Sequence, residues 1–232
     1  MGSAALFFDL QPYSGVLGDI NAQLIGTFRQ VRNRPRKLSQ ALRSLPQGKE
    51  EYYEIRSSDP KTLAPVDAAA RFIYLNRYCF NGLFRTNLQG AFNVPYAPSG
   101  TGALPTEEHL CQCARLLRRA ELRVGDFADT VADCHEGDFV YMDPPFAVKG
   151  RRIFREYSPD AFHCGDLSRL ADMLIEINAK GVSFVVSYAD CSEARQAFSE
   201  WRHRRVRTKR NIAGFCDSRR HAYEWIVTNV KD

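Results

Sequence analysis

Apolar positions along the chain alternate between short continuous runs and longer stripes at helical spacing. Residues 139–142 (Phe-Val-Tyr-Met) and 181–188 (Gly-Val-Ser-Phe-Val-Val-Ser-Tyr) are the clearest runs. Four apolar residues bounded by polar ones suit a strand buried on both faces, as in a parallel sheet. Shorter runs at 14–19 and 122–127 predict two further strands, the first ending in Asp19. Between them lie helical stripes: Leu38, Leu42 and Leu45, then Ala69, Phe72, Ile73 and Asn76, all read as core. Helices are predicted at 3–10, at 22–32 behind an Asn21 N-cap, at 106–119 behind Thr106, at 166–178 and at 192–201. The tail, 202–229, reads as two strands around a loop. Runs of strand alternating with helix give an α/β domain.

The segment between the first two strands has a different character. Pro46-Gln47-Gly48 and Ser57-Ser58-Asp59-Pro60 cut residues 35–78 into separate helical pieces. A hairpin centred on Gln89-Gly90 follows, rich in Asn, Arg and aromatic residues, and then a Gly/Pro/Ser-rich loop at 98–105. The predicted organisation is a catalytic domain formed by 1–34 and 106–232, with 35–105 inserted as a helical and β-hairpin subdomain.

Composition narrows the class without deciding it. With 232 residues and 44% hydrophobic content the chain supports one sizeable α/β domain with an insertion. A formal net charge of +5 favours a polyanionic partner. No stretch reaches the apolar length of a membrane helix, and the start has no basic leader of the signal-peptide kind. Seven scattered cysteines read as reduced thiols in a cytoplasm. His109, Cys111, Cys113, Cys134 and His135 match no standard zinc spacing, so no metal site is expected.

Chemistry concentrates at Asp143-Pro144-Pro145-Phe146, where the 139–142 strand must stop because proline cannot donate to a ladder. Ligands of open α/β sheets bind at the carboxyl ends of strands. The Asp143 carboxylate and the stiffly held Pro144 carbonyl are acceptors able to take the two hydrogens of a planar exocyclic amine. Phe146 offers a flat face for a base swung out of its helix. The plainer reading is a structural Pro-Pro turn with Phe146 in the core.

Three other features remain open on the residues alone. Asp19, at the end of a strand, either bonds ribose hydroxyls or simply caps the following helix. The hairpin, with Arg77, Asn81, Arg85, Asn87, Asn93 and Pro95, either reads base edges or is a solvated turn. The tail carries Arg202, Arg204, Arg205, Arg207, Lys209, Arg210, Arg219 and Arg220 against the single acid Asp217. Such clustering suits phosphate contact, or else guards an edge strand against pairing.

Taken in order, these motifs resemble the Dam-type N6-adenine DNA methyltransferases (class D12) along essentially the whole chain. Gly2-Ser3-Ala4-Ala5-Leu6-Phe7-Phe8 looks like the second half of the family's Phe-x-Gly-x-Gly cofactor loop. Leu17-Gly18-Asp19-Ile20-Asn21 resembles its ribose-binding segment, and Gly125-Asp126-Phe127 the element near the cofactor adenine. Residues 79–85 and 90–95 are similar to the target-recognition hairpin, and Asp143-Pro144-Pro145-Phe146 to the catalytic tetrad. The ending 221–229 looks like the family's last strand.

The resemblance implies a Rossmann-like, S-adenosylmethionine-dependent fold that methylates N6 of a flipped adenine at a specific site in duplex DNA, as restriction-modification enzymes do. It implies Asp143, Pro144, Pro145 and Phe146 as catalytic residues. Gly2, Ser3, Ala4, Phe8, Asp19, Ile20, Asp126, Phe127 and Asp143 would hold the cofactor. Arg77, Asn81, Arg85, Asn87, Asn93, Pro95, Arg205, Arg207, Lys209 and Arg210 would hold DNA. A cytoplasmic monomer is expected.

Three departures qualify it. The resemblance begins inside the cofactor loop, so the family's first strand and an earlier Lys-bearing motif are expected to be missing. That makes a truncated, catalytically impaired DNA-binding remnant the alternative reading. Phe146 stands where Tyr is usual. Residues 96–102 lack the basic residues usual there, so the target sequence is left open. Methylation of an amine on RNA or protein is a third, weaker option, since similar tetrads serve other planar amines.

Overall fold

A computed structural model describes residues 1–98, 102–146, 162, 164–209 and 221–231. They form a mixed α/β structure in two compact units, Met1–Thr130 and the remainder from Val131 on.

The first unit contains α1 (Ala5–Leu10), β1 (Gly15–Asp19), α2 (Ala22–Asn33), α3 (Pro35–Ser44), α4 (Lys49–Ser57), α5 (Pro65–Tyr78), α6 (Glu107–Leu117) and β2 (Ala120–Val124). Strands β1 and β2 pair in parallel, Gly15 opposite Ala120 and Asp19 opposite Val124. The helix starts follow from local chemistry. Asn21 Oδ1 accepts from the amides of Gln23 (3.0 Å) and Leu24 (3.1 Å), and Thr106 Oγ1 from His109 N. Proline opens α3 and α5, where its missing N–H costs nothing. The predicted helices at 3–10, 22–32 and 106–119 are all present to within two residues.

Two apolar clusters stabilise this unit. One joins Phe7, Ile25, Leu38, Leu42, Ala69, Leu117 and Leu122. The other joins Tyr52, Tyr74, Leu75, Cys79, Phe92 and Val94, tying α4 and α5 to the hairpin. The α5 stripe read from sequence is borne out at Ala69, which is buried, but not in the rest. Phe72, Ile73 and Asn76 are only half-buried, while Arg71, Tyr74 and Leu75 are buried. Helix α5 serves both clusters, so its buried arc is wider than one stripe. Arg71 is tolerated there because its guanidinium caps the end of α4, donating to the carbonyls of Ile55 (2.9 Å) and Arg56 (2.7 Å).

The strand expected at 122–127 lies earlier, at Ala120–Val124, and Phe127 opens α7 (Phe127–Val131) instead. Asp126 Oδ1 accepts from Ala128 N at 3.0 Å, which turns the chain into a helix after Gly125. Gly18 lies under this turn. A Cβ there would overlap Thr130 Oγ1.

The second unit contains β3 (Phe139–Met142), α8 (Cys164–Ala179), β4 (Ser183–Ala189), α9 (Ser192–Ala197), β5 (Arg202–Lys209) and β6 (His221–Thr228). The sheet order is β3-β4-β6-β5, with β3 and β4 parallel and the other two pairings antiparallel. The sequence places all four strands correctly, whereas α9 stops four residues short of the predicted 201. Strand β3 is not buried on both faces. Met142 is buried, but Phe139 is 52% and Tyr141 44% exposed. Alternate residues of β3 point to opposite faces, and one face shares its side with the buried Phe184 and Val186 of β4. The other carries Phe139 and Tyr141, which are only partly covered.

Candidate active site

In the second unit, Asp143-Pro144-Pro145-Phe146 follows β3 at its carboxyl end, as the sequence indicated. Asp143 is exposed and the next three residues are half-buried. The plainer core placement of Phe146 therefore does not hold. Its ring meets Tyr188 of the adjoining strand edge-on, centroids 5.2 Å apart at 67°, and Tyr188 in turn meets Phe198 at 5.9 Å. Tyr188 is fully buried, so it is a fixed wall on which the half-buried Phe146 rests. Tyr141, two residues before Asp143, bonds to the Ser187 hydroxyl. Burial and the Asp143 charge push its phenol up, against the pull of that bond. Nothing in the sequence marks Tyr188 separately, but a ring near the end of the buried strand, one register step past Asp143, is where such a support has to come from.

Beside it, Asp190 is almost enclosed and accepts from Arg195 (2.6 Å) and Arg205 (2.7 Å). Arg205 also lies 3.7 Å over the Tyr223 ring. One of the tail cations expected on DNA is thus engaged in a local network joining α9, β5 and β6. Arg207 is exposed on β5, Lys209 ends that strand, and Arg210 falls outside the described residues, as does the sequence from 147 to 157, basic and aromatic in composition, that follows Phe146.

In the first unit the expected cofactor residues gather at the carboxyl ends of β1 and β2. Gly125 N donates to the Asp19 carbonyl at 3.2 Å, which sets Asp126 beside Asp19. The Asp19 carboxylate accepts from Asn21 N at Oδ1 (2.9 Å), and from Gly2 N and the Met1 ammonium at Oδ2 (both 3.1 Å). Burial pushes this carboxyl up, but the ammonium and the two amides outweigh burial and hold it below the ordinary carboxylate value. The bond from Asn21 N ties Asp19 to the entry of α2, in line with the plainer reading of an acid at a helix start. Gly2, Ser3 and Ile20 are exposed around it. Ala4, by contrast, is buried, and Phe8 packs on Phe28 with centroids 6.4 Å apart. Both are used by the fold, as is Phe127 at the start of α7.

The hairpin is built as expected around Gly90 (φ 77°), with Thr86 opposite Phe92 and Cys79 opposite Tyr96. Asn87 Oδ1 accepts from Gln89 N and Ala91 N and so shapes the turn. Asn81 takes a left-handed backbone, φ 54°, in the 3-10 turn Phe80–Gly82. Arg85 and Asn93 face each other across the hairpin, Nε to Oδ1 2.7 Å. Pro95 is exposed, its carbonyl accepting from Phe80 N, and Arg77 is half-buried in the last turn of α5. The supports from below went unread in the sequence. Tyr52 Oη donates to the Val94 carbonyl at 2.9 Å and Arg56 to the same oxygen at 3.1 Å.

A corner of Asp143, two prolines and Phe146 after β3, an acidic edge after β1 and β2, and an Asn/Arg hairpin accompany a sequence match over residues 1–212 to the D12 class N6 adenine-specific DNA methyltransferases. The chain belongs to this family. It is 32% identical to the type II methyltransferase M1.LlaDCHI of Lactococcus lactis subsp. cremoris, over 99% of this chain and 84% of that protein. It is 30% identical to the type II methyltransferase M.MjaIII of Methanocaldococcus jannaschii (98% and 85%) and 29% identical to the DNA adenine methylase of Escherichia coli K12 (98% and 83%). As a D12 methyltransferase it is a DNA adenine methyltransferase, and its mixed α/β fold is consistent with that family. No helix among the described residues is long and apolar enough to cross a membrane.

Proposed function

We propose that this chain transfers a methyl group from S-adenosylmethionine to N6 of an adenine flipped out of duplex DNA, at a site its hairpin selects. The observation that carries this reading is the corner after β3. There an exposed carboxylate, a proline carbonyl on a rigid backbone and a half-buried ring resting on a buried tyrosine stand side by side. S-adenosylmethionine, when bound, supplies an electrophilic methyl group. Asp143 Oδ and the Pro144 carbonyl accept the two amine hydrogens, which turns the nitrogen lone pair out of conjugation with the ring. The Asp143 carboxylate is also placed to take the proton that the methylated amine sheds. Phe146 holds the base by its face, as Tyr188 holds Phe146. Orientation and displaced water supply much of the rate.

The edge after β1 and β2 fits such a cofactor. Asp19 is kept ionised, and Oδ1, with one amide donor, retains capacity for a ribose hydroxyl. Asp126 beside it suits an amine donor of the cofactor's base, and Gly2, Ser3 and Ile20 line the approach. In the hairpin, Asn and Arg side chains suit base edges, and Arg207 and its neighbours on β5 suit phosphates. The fold that goes with this reading is a Rossmann-like methyltransferase sheet from 1–34 and 106–232, with 35–105 as an inserted recognition subdomain. The separate apolar cluster of α4, α5 and the hairpin supports that insertion. The enzyme would act as a monomer in the cytoplasm.

The test is purified protein, duplex DNA and methyl-labelled S-adenosylmethionine, with digestion to nucleosides and mass analysis. N6-methyladenine should form, and Asp143→Ala should lower the rate at least about a hundredfold. Duplex binding by the intact chain with no methyl transfer would instead favour a DNA-binding remnant.

A further inference from the structure

Cations also gather away from the hairpin and β5. A groove of about 510 Å³ runs between the end of α2, the start of α3 and one flank of α6, lined by Arg34, Arg36, Lys37, Arg115, Arg118 and Cys111. Its lining contains no carboxylate. Arg36 has one distant partner, Glu107 at 3.8 Å. Arg34, Lys37, Arg115 and Arg118 are exposed and have no ion pair among the described residues. On β5, Arg205 is neutralised by Asp190, whereas Arg204 and Arg207 are exposed like the groove cations. The first turn of α3 has no side-chain cap, so the amides of Arg36 and Lys37 are left for an acceptor from outside.

Gathering like charges around a groove is unfavourable unless an anion neutralises them. Four unpaired cations exceed the charge of up to two that one phosphate monoester carries. They match a run of phosphodiesters, each with one charge. We propose that this groove is a second DNA-contacting surface, which grips backbone phosphates of the substrate duplex away from the recognition hairpin. The proposal rests on duplex DNA being the substrate. Its contacts carry no sequence information; they add affinity and fix register.

Two measurements decide it. Duplex binding is titrated against salt for the wild type and for Arg115→Ala/Arg118→Ala, both changes being on exposed faces, with thermal melting as the check on folding. The logarithmic salt slope should fall by about two in the variant, equally for methylatable and unrelated duplexes. Secondly, Cys111 in the groove wall is alkylated with N-ethylmaleimide and followed by peptide mass. Duplex should protect it, while inorganic phosphate at equal ionic strength should not. A steep wild-type slope that the variant leaves unchanged overturns the groove and spares the methyltransferase reading. Equal protection by inorganic phosphate also overturns it, in favour of a small-anion site. A wild type that binds no duplex overturns both readings.

Discussion

Arg85 and Asn93 are bonded to each other across the hairpin, Nε to Oδ1 at 2.7 Å and Nη2 to the Asn93 carbonyl at 3.3 Å. Both were expected to read bases, and as they stand each holds the other. An Arg that meets guanine bidentately needs its fork free, but the pair can share, because Nη1 is not used in this contact. A double-mutant cycle separates a strut from a reader. If Arg85 reads a base, Arg85→Ala should lower kcat/KM on the preferred site by about 1–3 kcal/mol and leave binding to unrelated duplex nearly unchanged. Asn93→Ala should cost less than half as much. Equal losses for both singles and the double would reduce the pair to a hairpin brace.

The hairpin is braced from below by Tyr52, whose hydroxyl, buried in the second apolar cluster, donates to the Val94 carbonyl. Tyr52→Phe keeps the ring and its contacts with Tyr53, Tyr74 and Tyr96. Only the hydrogen bond is lost, and Arg56 still reaches the same carbonyl at 3.1 Å. The expected cost is about 1 kcal/mol, seen as a fall in Tm of about 2–4 °C by differential scanning calorimetry. Faster hydrogen exchange at the Ala97 amide, which returns the hairpin to Tyr78, should accompany it. A melting temperature within error of wild type would show that Arg56 alone suffices.

Phe146 is held by Tyr188, so the two should act as one unit. Phe146→Ala removes the surface on which a flipped base rests, and stacking of a base on a ring is worth about 1–3 kcal/mol. The loss in kcat/KM should be about fivefold to a hundredfold. Tyr188→Ala leaves the ring in place but unsupported and should give part of that loss. The double variant should be no worse than Phe146→Ala, because the support has nothing left to hold. Additive losses in methylation kinetics would mean that Tyr188 has a role of its own.

What the sequence makes legible here is whatever depends on near neighbours. Asn21 and Thr106 mark helix starts by local bonding and Pro35 by its fixed φ, and Pro144-Pro145 ends a strand wherever it is placed. The order of motifs also carries the family. What escaped depends on partners distant in sequence. Tyr52 lies 42 residues from the carbonyl it holds, and nothing in its own helix marks it. The α5 stripe was misread past Ala69 because two clusters claim that helix from different sides. Arg205 looked like one more phosphate contact until Asp190, at the end of another strand, took its charge. The basic groove is split between residues 34–37 and 111–118, so no single window shows it.

Asp19 and Asp190 make acid stability a test of both carboxyl edges. Burial pushes the Asp19 carboxyl up, but the Met1 ammonium and the amides of Asn21 and Gly2 hold it below its free value of 3.8. The Arg195 hydrogen bond, with the charges of Arg195 and Arg205, does the same for Asp190 against the opposing effect of burial. A depressed folded-state value means that the unfolded chain binds protons more readily. The stabilisation is therefore complete above 3.8 and is lost as pH falls through the lower folded-state values. Urea midpoints followed by circular dichroism should be flat in these groups from pH 7 to 5 and fall below about pH 4. Asp19→Asn and Asp190→Asn should each lower the neutral midpoint and flatten the acid limb, Asp190→Asn more so, because it strands two guanidinium groups. Acid limbs parallel to wild type in both variants would show that neither carboxylate's partners stabilise the folded chain.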